Sequence, residues 1–313
     1  MIILYGSEHY RVDITDTVMQ KHVVNRMVCI PNSDHARADL FGDPAFGEVK
    51  FIKIFDDMLN SRIYNSDQVV HIPIDCDFEN HEDTDVSSQR KETDAIISTH
   101  TFNHNVDWVK KNPNDYNSDE TFEQYMTYQF LPRNASVLEL GGNIGRNSML
   151  ISSLLKDPTK HVVLESDSDI ANCLKKNRDD NNKQFHVEDA ALSKRKLLQK
   201  ENSWETIPSD TLIEGYKKVR NVTLPELEQK YNVRFDALVA DCEGALYEIL
   251  QDDPTVLDNI KTIIVENDYF NSEKMRFVKK VYKEKGFTPL YVGNHPQVQL
   301  PPNEFFFEVW ARN

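Results

Sequence analysis

Glycine is scarce in this chain, 10 in 313 residues, and basic side chains are outnumbered, 36 Lys and Arg against 51 Asp and Glu. The net charge of −15 argues against a protein that grips nucleic acid by its phosphates, because Lys and Arg make that contact. No run of about 18 or more apolar residues occurs, so no membrane-spanning helix is expected. The start, Met1-Ile2-Ile3-Leu4-Tyr5-Gly6, lacks the basic region of a signal peptide. Cysteine is limited to Cys29, Cys76, Cys173 and Cys242, with no C-x-x-C pair, which argues against structural zinc. These absences together predict a reducing, cytoplasmic compartment. The sequons Asn134-Ala135-Ser136 and Asn221-Val222-Thr223 are then chance matches.

What is present falls into three parts. Residues 1–75 hold short β-rich runs, at 23–24, 27–30, 49–54 and 69–72, bounded by turn residues such as Phe41-Gly42-Asp43-Pro44. A small antiparallel β module is expected there, with the alternating His35, Arg37 and Asp39 on one strand face. Residues 76–117 open with a run of acids, Asp77, Glu79, Glu82, Asp83 and Asp85, with few large apolar residues, and read as an acidic linker or lid that leaves the front module free to move. Residues 118–313 begin with a helix over 118–130, capped by Ser118 and striped by Phe122, Met126 and Phe130. Strands and helices then alternate. Strands are expected at 135–140, 161–164, 184–187, 235–240, 261–265, 288–292 and 304–311, with helices at 147–155, 170–178, 245–250 and 272–285. This is the pattern of an α/β, Rossmann-like, mostly parallel sheet. The helix-free loop before 304–311 implies an antiparallel last strand.

The stretch Val137-Leu138-Glu139-Leu140-Gly141-Gly142-Asn143-Ile144-Gly145 reads as strand, glycine turn and helix start. Such a turn lies at the carboxyl end of a strand, where ligands of open α/β sheets bind, and the next helix offers free N–H groups to an anion. The dinucleotide fingerprint G-x-G-x-x-G fails at Asn143 and Arg146. The spacing Glu139, Gly141, Gly145 instead resembles the E-x-G-x-x-x-G pattern of class I S-adenosylmethionine methyltransferases. That resemblance implies that Glu139 helps hold the amino-acid end of the cofactor, beside Gly142 and Asn143. About twenty residues further on, the second strand ends in Glu165-Ser166, where an acid can take two ribose hydroxyls. The third ends in Asp189-Ala190, where Asp189 can accept from the adenine amine. A tight turn without a cofactor, or a nicotinamide nucleotide, are the competing readings.

A second constellation lies at the ends of the fourth and fifth strands. Asp241 and Glu243 are two apart and share a side, and Glu266-Asn267-Asp268 ends the neighbouring strand. Asp241, Glu243 and Glu266 should therefore converge beside the methyl donor. At this point the chain resembles the FkbM family of S-adenosylmethionine-dependent methyltransferases, on Val137–Gly145, Ala190-Ala191-Leu192-Ser193, Thr223-Leu224, Asp241-Cys242-Glu243-Gly244-Ala245 and Val265-Glu266. The resemblance covers residues 130–292 and implies O-methylation of a sugar or polyketide hydroxyl. Two departures bear on the substrate: Val239-Ala240 stands where the family often has Lys-Ile, and Glu266-Asn267 where an acid-histidine is usual. The β-rich front is faintly similar to leader modules on glycan-processing enzymes of large DNA viruses, which implies host cytoplasm.

A sugar hydroxyl is a poor nucleophile, so a base is expected from Asp241 and Glu243, with Asp241 as a mere hydrogen-bonding ligand of the cofactor as the alternative. A Mg²⁺ ion on Asp241, Glu266 and Asn267 is a further reading. His295 is a rival base, His100 and His104 are candidates to cover the pocket, and Trp204 and Tyr269 to stack on a sugar. The expected function is O-methylation of a sugar, nucleotide-linked or in a glycan. The alternatives are a phenolic or polyketide acceptor, or a glycan- or partner-binding protein with an inactive cofactor fold. The partners expected are a glycan substrate and, through exposed β edges of the front module, a second copy, with neither nucleic acid nor membrane.

Overall fold

The computed structural model describes residues 1–7, 10–24, 26–55, 61–74, 86–102, 121–269, 271–293 and 305–312. The front of the chain runs β1 (Ile2–Gly6), β2 (Arg11–Asp13), α1 (Thr15–Lys21), β3 (Val23–Val24), β4 (Met27–Ile30), α2 (Asp34–Phe41), β5 (Phe51–Phe55), β6 (Ser61–Asn65) and β7 (Val70–Pro73). It forms two antiparallel sheets, β2-β1-β5-β6 and β3-β4-β7. Alternate residues point inward, as period-two patterning requires, so that Ile3, Tyr5, Val28, Ile30, Ile52, Ile54, Val70 and Ile72 make one apolar cluster.

The strand expected to carry His35, Arg37 and Asp39 is a helix. Ser33 caps α2, its Oγ accepting from Ala36 N at 3.3 Å, and Gly42 ends it at φ 79°. A helix separates what a strand would align. His35 and Asp39 lie one exposed turn apart, 3.6 Å from each other, while Arg37 is fully buried. Its guanidinium donates to the carbonyls of Pro31 (2.8 Å), Tyr64 (3.3 Å) and Gln68 (2.6 Å), tying two loops to β6. Arg37→Met keeps much of the volume but strands those carbonyls. A loss of about 2 kcal/mol of stability is expected, read as a lower urea midpoint with unchanged slope.

Next come α3 (Val86–Ser98) and α4 (Thr121–Phe130). No helix was expected at α3. It packs on α4, where Tyr125 Oη donates to Asp94 at 2.9 Å and Tyr128 Oη to Glu92. The acids at 75–85, together with Ser118, His104, Trp108 and His295, lie outside the described residues.

The remainder is β8 (Val137–Leu140), α5 (Arg146–Leu154), β9 (His161–Glu165), α6 (Ser168–Asp180), β10 (His186–Asp189), β11 (Ala191–Leu192), β12 (Leu197–Lys200), β13 (Thr206–Pro208), β14 (Tyr216–Val219), β15 (Asn221–Val222), α7 (Leu224–Tyr231), β16 (Ala237–Ala240), α8 (Ala245–Asp252), β17 (Thr262–Glu266), α9 (Ser272–Glu284), β18 (Thr288–Gly293) and β19 (Phe307–Ala311). The large sheet has the order β10-β9-β8-β16-β17-β19-β18. It is parallel apart from β19, which runs antiparallel between β17 and β18, as expected for the last strand. Strands β8, β9 and β16 are buried along their whole length, which is why they read as unbroken apolar runs. The strand order reverses between β8 and β16, so the crevice that receives a ligand opens over their carboxyl ends.

Two features were not legible beforehand. Residues 191–222 form a small antiparallel sheet, β13-β12-β14, and a β11-β15 pair. The front module is also seated on the large sheet. Leu4 and Phe55 join Met126, Tyr291, Phe306 and Val309 in one cluster. The rings of Phe55 and Tyr291 meet edge to face at 5.0 Å, and Arg11 Nη1 donates to Leu290 O at 3.3 Å. The module is thus docked against β18, at the edge of the sheet, rather than loose.

Candidate active site

The ends of three strands are stitched together at the glycine turn. Gly141 N and Gly142 N both donate to Leu164 O, at 3.0 and 3.1 Å, and Asp241 N donates to Leu140 O at 3.0 Å. Gly141 sits at φ 85°, and a Cβ there would lie 1.6 Å from the Asp241 carbonyl oxygen, so only glycine lets β8 and β16 close up. Gly142 and Gly145 serve packing instead: side chains there would strike Val163 and Leu174. Gly141 and Asn143 line the crevice, together with Glu165, Ser166, Ala190, Asp241 and Glu243.

Glu165 closes one end of the crevice. Its carboxylate accepts from Asn143 N at 2.9 Å and from Asp167 N at 2.8 Å, so it is held in place before any ligand arrives. Burial, and to a smaller degree the charge of Asp167, push its carboxyl up to about 7 against the pull of those N–H donors.

Two residues expected at the cofactor stand elsewhere. Glu139 does not reach the crevice. Its Oε2 pairs with Nε2 of the fully buried His161 at 2.7 Å, because Glu139 lies within β8 with its side chain turned toward β9. Asp189 is not among the residues that line the crevice, and its Oδ1 accepts from Ser168 Oγ at 2.9 Å. The apolar Ala190, Ala191 and Leu192 form that wall instead.

At the other end, carboxylate oxygens of Asp241, Glu266 and Asp268 come within 4.8 Å of one another. Asn267, named for the metal reading, follows Glu266 directly. It is 1 % exposed, and its Nδ2 donates to Phe305 O at 2.9 Å, so its amide anchors the segment before β19. Burial first, then the charges of Glu266, Glu123, Asp268 and Glu243, raise the proton affinity of Asp241 well above the usual carboxylate range. Burial and Glu243 push Asp268 up to about 7. Glu243 is held at φ 51°, followed by Gly244 at φ 75°, a left-handed pair that turns the chain sharply into α8.

Apart from Trp204, a candidate for sugar stacking, the side wall is built by residues that sequence reasoning left unassigned. The small sheet contributes Leu197, Thr206 and Pro208, with Trp204 beside them, and α8 contributes Ala245, Glu248 and Ile249. Arg195 spans the two, donating to Glu248 at 2.8 Å and to Asp252. Tyr269, a candidate for sugar stacking, belongs to the main apolar core at 9 % exposure, under Gly244. His100 lies away from the crevice, its Nε2 3.4 Å from Ser153 Oγ; burial and Lys183 push it down to about 4. Glu123, whose charge acts on Asp241, is the residue most clearly missed. It shares a helical stripe with Met126 and Phe130, and an acid on an apolar face was the signal available.

Residues 139–289 match the family model described as the methyltransferase FkbM domain. No curated protein matches the chain in sequence. Among solved structures, the O-methyltransferase from Bacillus cereus in complex with S-adenosylhomocysteine is 14% identical, with 75% of this chain and 93% of that one covered and a TM-score of 0.36. Fibrillarin from Aeropyrum pernix, with natively bound S-adenosyl-L-methionine, is 15% identical, with 64% and 76% covered and a TM-score of 0.36. Sp1610 from Streptococcus pneumoniae is 14% identical, with 58% of this chain covered and a TM-score of 0.35; this chain spans 65% of its length, just under two thirds. Among the described residues, no helix is long and apolar enough to cross a membrane. Residues 139–289, just under half of the chain, therefore carry a methyltransferase FkbM domain.

Proposed function

We propose that the protein moves the methyl group of S-adenosylmethionine onto a hydroxyl of a sugar, nucleotide-linked or within a glycan. In this reading the ribose of the cofactor rests on Glu165 and its adenine against Ser166, Ala190 and Ala191. Its sulfonium then faces Asp241. The reading is carried by the carboxylates of Asp241, Glu266 and Asp268, within 4.8 Å of one another at the donor end of the crevice. Methyl transfer is an in-line displacement, so the acceptor oxygen must lie near the methyl and lose its proton there. A sugar alcohol needs a strong proton acceptor. A cluster of like charges with raised proton affinity supplies one close to neutrality. Asp241 is the base, and Glu266 and Glu243 hold its proton affinity up.

The same carboxylates, with Asp268 in place of Asn267, are hard oxygen donors suited to Mg²⁺, which would gather two acceptor hydroxyls and acidify one. A phenolic acceptor ionises more easily and would call for an apolar pocket, whereas the donor end here is acidic. The test is to incubate the protein with S-adenosylmethionine and a panel of nucleotide sugars, free glycans and phenols, with and without a chelator, and to read methyl gain by mass spectrometry. A sugar that gains 14 mass units per methyl, as the atoms CH₂ require (~14 Da), supports the proposal. Methylation of phenols alone would overturn the sugar assignment, and activity untouched by chelator would remove the metal.

A further inference from the structure

The small inserted sheet does more than wall the crevice. Its strand β14 carries Lys217, whose Nζ lies 2.5 Å from Asp167 Oδ2. Asp167 is 1 % exposed, so water does little to screen its charge and Lys217 supplies the opposite one. The other oxygen of Asp167, Oδ1, accepts from Asp169 N at 2.9 Å and from Ile170 N at 3.1 Å, capping α6. The backbone N–H of the same residue donates to Glu165 Oε1 at 2.8 Å. Asp167 thus joins the inserted sheet, the first turn of α6 and the acid that closes one end of the crevice. Glu165 and Asp167 are like charges two residues apart. An acid that serves as a charged acceptor is ill matched with a second buried carboxylate beside it, unless that carboxylate is neutralised. The other titratable neighbours do not do this. Asp189 is the cross-strand partner of Glu165 on β10, and Asp169 stands in the first turn of α6. A second cation of the insert, Arg220, is engaged by Asp189 O at 3.0 Å and by Glu188.

We propose that Lys217 is a positioning residue for the cofactor: by neutralising Asp167 it lets Glu165 meet the ribose as a fixed carboxylate. This deepens the cofactor reading above and rests on it. Lys217 is not among the residues that line the crevice, so it acts through Asp167 rather than on the nucleoside. With the cation in place, Asp167 stays where its N–H holds Glu165. Without it, the charge of Asp167, which already raises the proton affinity of Glu165, acts unopposed, and Glu165 keeps its proton to higher pH. The seating of the inserted sheet and the state of the ribose ligand are thereby linked through one ion pair. The side chain of Lys217 is 35 % exposed, so replacing it opens no cavity and leaves its charge as the quantity tested.

The experiment is titration calorimetry with S-adenosylhomocysteine at pH values between about 6 and about 8.5, on the wild type, Lys217→Met, Lys217→Arg and Asp167→Asn. Thermal melts establish that each variant is folded. Wild-type affinity should rise with pH through the Glu165 midpoint at about 7. In Lys217→Met that midpoint should move up by about one unit, so that binding is about fivefold weaker than wild type at pH 7 and within about twofold of it at pH 8.5. Lys217→Arg keeps the cation and should keep the wild-type midpoint. Asp167→Asn keeps the cap and the N–H but removes the negative charge, so its midpoint should move down; it decides the matter if Lys217→Met does not fold. A structural role would weaken binding equally at every pH, so a midpoint unmoved in folded Lys217→Met, or unmoved in Asp167→Asn, overturns the assignment. Wild-type affinity that is flat across this range also overturns it while leaving the cofactor reading intact. A wild type that does not bind the ligand removes the cofactor reading and this assignment with it.

Discussion

Asp241→Asn is expected to lower turnover by about 10²- to 10⁴-fold, the usual contribution of a general base, while shifting the dissociation constant of S-adenosylhomocysteine by no more than about threefold, because the amide keeps the shape and a similar hydrogen-bonding edge. The split between the two quantities is the informative part. If Asp241 only held the cofactor, affinity would fall and turnover at saturation would stand. The pH dependence follows from the same cluster. The base acts as a carboxylate, and burial first, then its acidic neighbours, raise its proton affinity, so the wild-type rate should climb as pH rises above the ordinary carboxylate range, with an apparent midpoint that belongs to the Asp241–Glu266–Asp268 group as a whole. Stability should move the other way. These carboxyls bind protons more tightly folded than unfolded, Asp268 and Glu165 both reaching about 7. The folded chain therefore holds extra protons between the ordinary carboxylate range and about pH 7, and stability is lost as pH rises across that window. Asp241→Asn removes one of the repelling charges. The variant should melt at a higher temperature than the wild type at pH 8, and the gap should close at pH 5. A slow variant that is also more stable marks a group kept for chemistry at a cost to the fold. Calorimetric melts at the two pH values, beside single-turnover rates, check both halves.

Glu165→Ala is expected to weaken S-adenosylmethionine binding by about 10- to 150-fold, the worth of a charge-assisted hydrogen bond, ~1.5–3 kcal/mol. Turnover at saturating cofactor should change far less. The carboxylate is fixed by Asn143 N and Asp167 N, so it meets the ribose without first being ordered. Its protonation should also show in binding. Two ribose hydroxyls donate best to a charged carboxylate, and the free group titrates at about 7. Affinity should therefore be full above pH 7 and fall as pH drops below it, by up to about tenfold per unit. Glu165→Gln should bind weakly at every pH and flatten that dependence. Titrations at pH 6, 7 and 8 on wild type and both variants distinguish a ribose ligand from a merely structural acid, whose loss would not change the slope.

The sequence read well where one pattern governs. The strands of the large sheet and helices α5, α6, α8 and α9 follow hydrophobic period and turn chemistry, and their ends fell within about three residues because buried parallel strands and capped helices leave local marks, whereas α7 (Leu224–Tyr231) was not foreseen. Glu165, Gly141 and Asp241 were legible because strand ends fix where a side chain goes. Glu139 and Asp189 were not, since spacing places a residue on a strand without saying which neighbour claims its carboxylate, and His161 and Ser168 lie distant in sequence. Asp268 went unlisted for a related reason: beyond the end of β17, strand alternation no longer dictates direction. His35, Arg37 and Asp39 alternate in sequence, but the cap at Ser33 made a helix of them. The small sheet at 197–219 went unseen because its strands are short and half exposed, so they carry too little apolar pattern to stand out.

The central claim is that the crevice over β8, β9 and β16 holds the nucleoside of S-adenosylmethionine with its sulfur turned toward Asp241. A crystal structure of the protein with S-adenosylhomocysteine tests this most directly. The account predicts both ribose hydroxyls within hydrogen-bonding distance of Glu165 and the sulfur nearer to Asp241 than to Glu139. Density for the ligand outside this crevice, or a sulfur facing away from the Asp241–Glu266–Asp268 group, would contradict it.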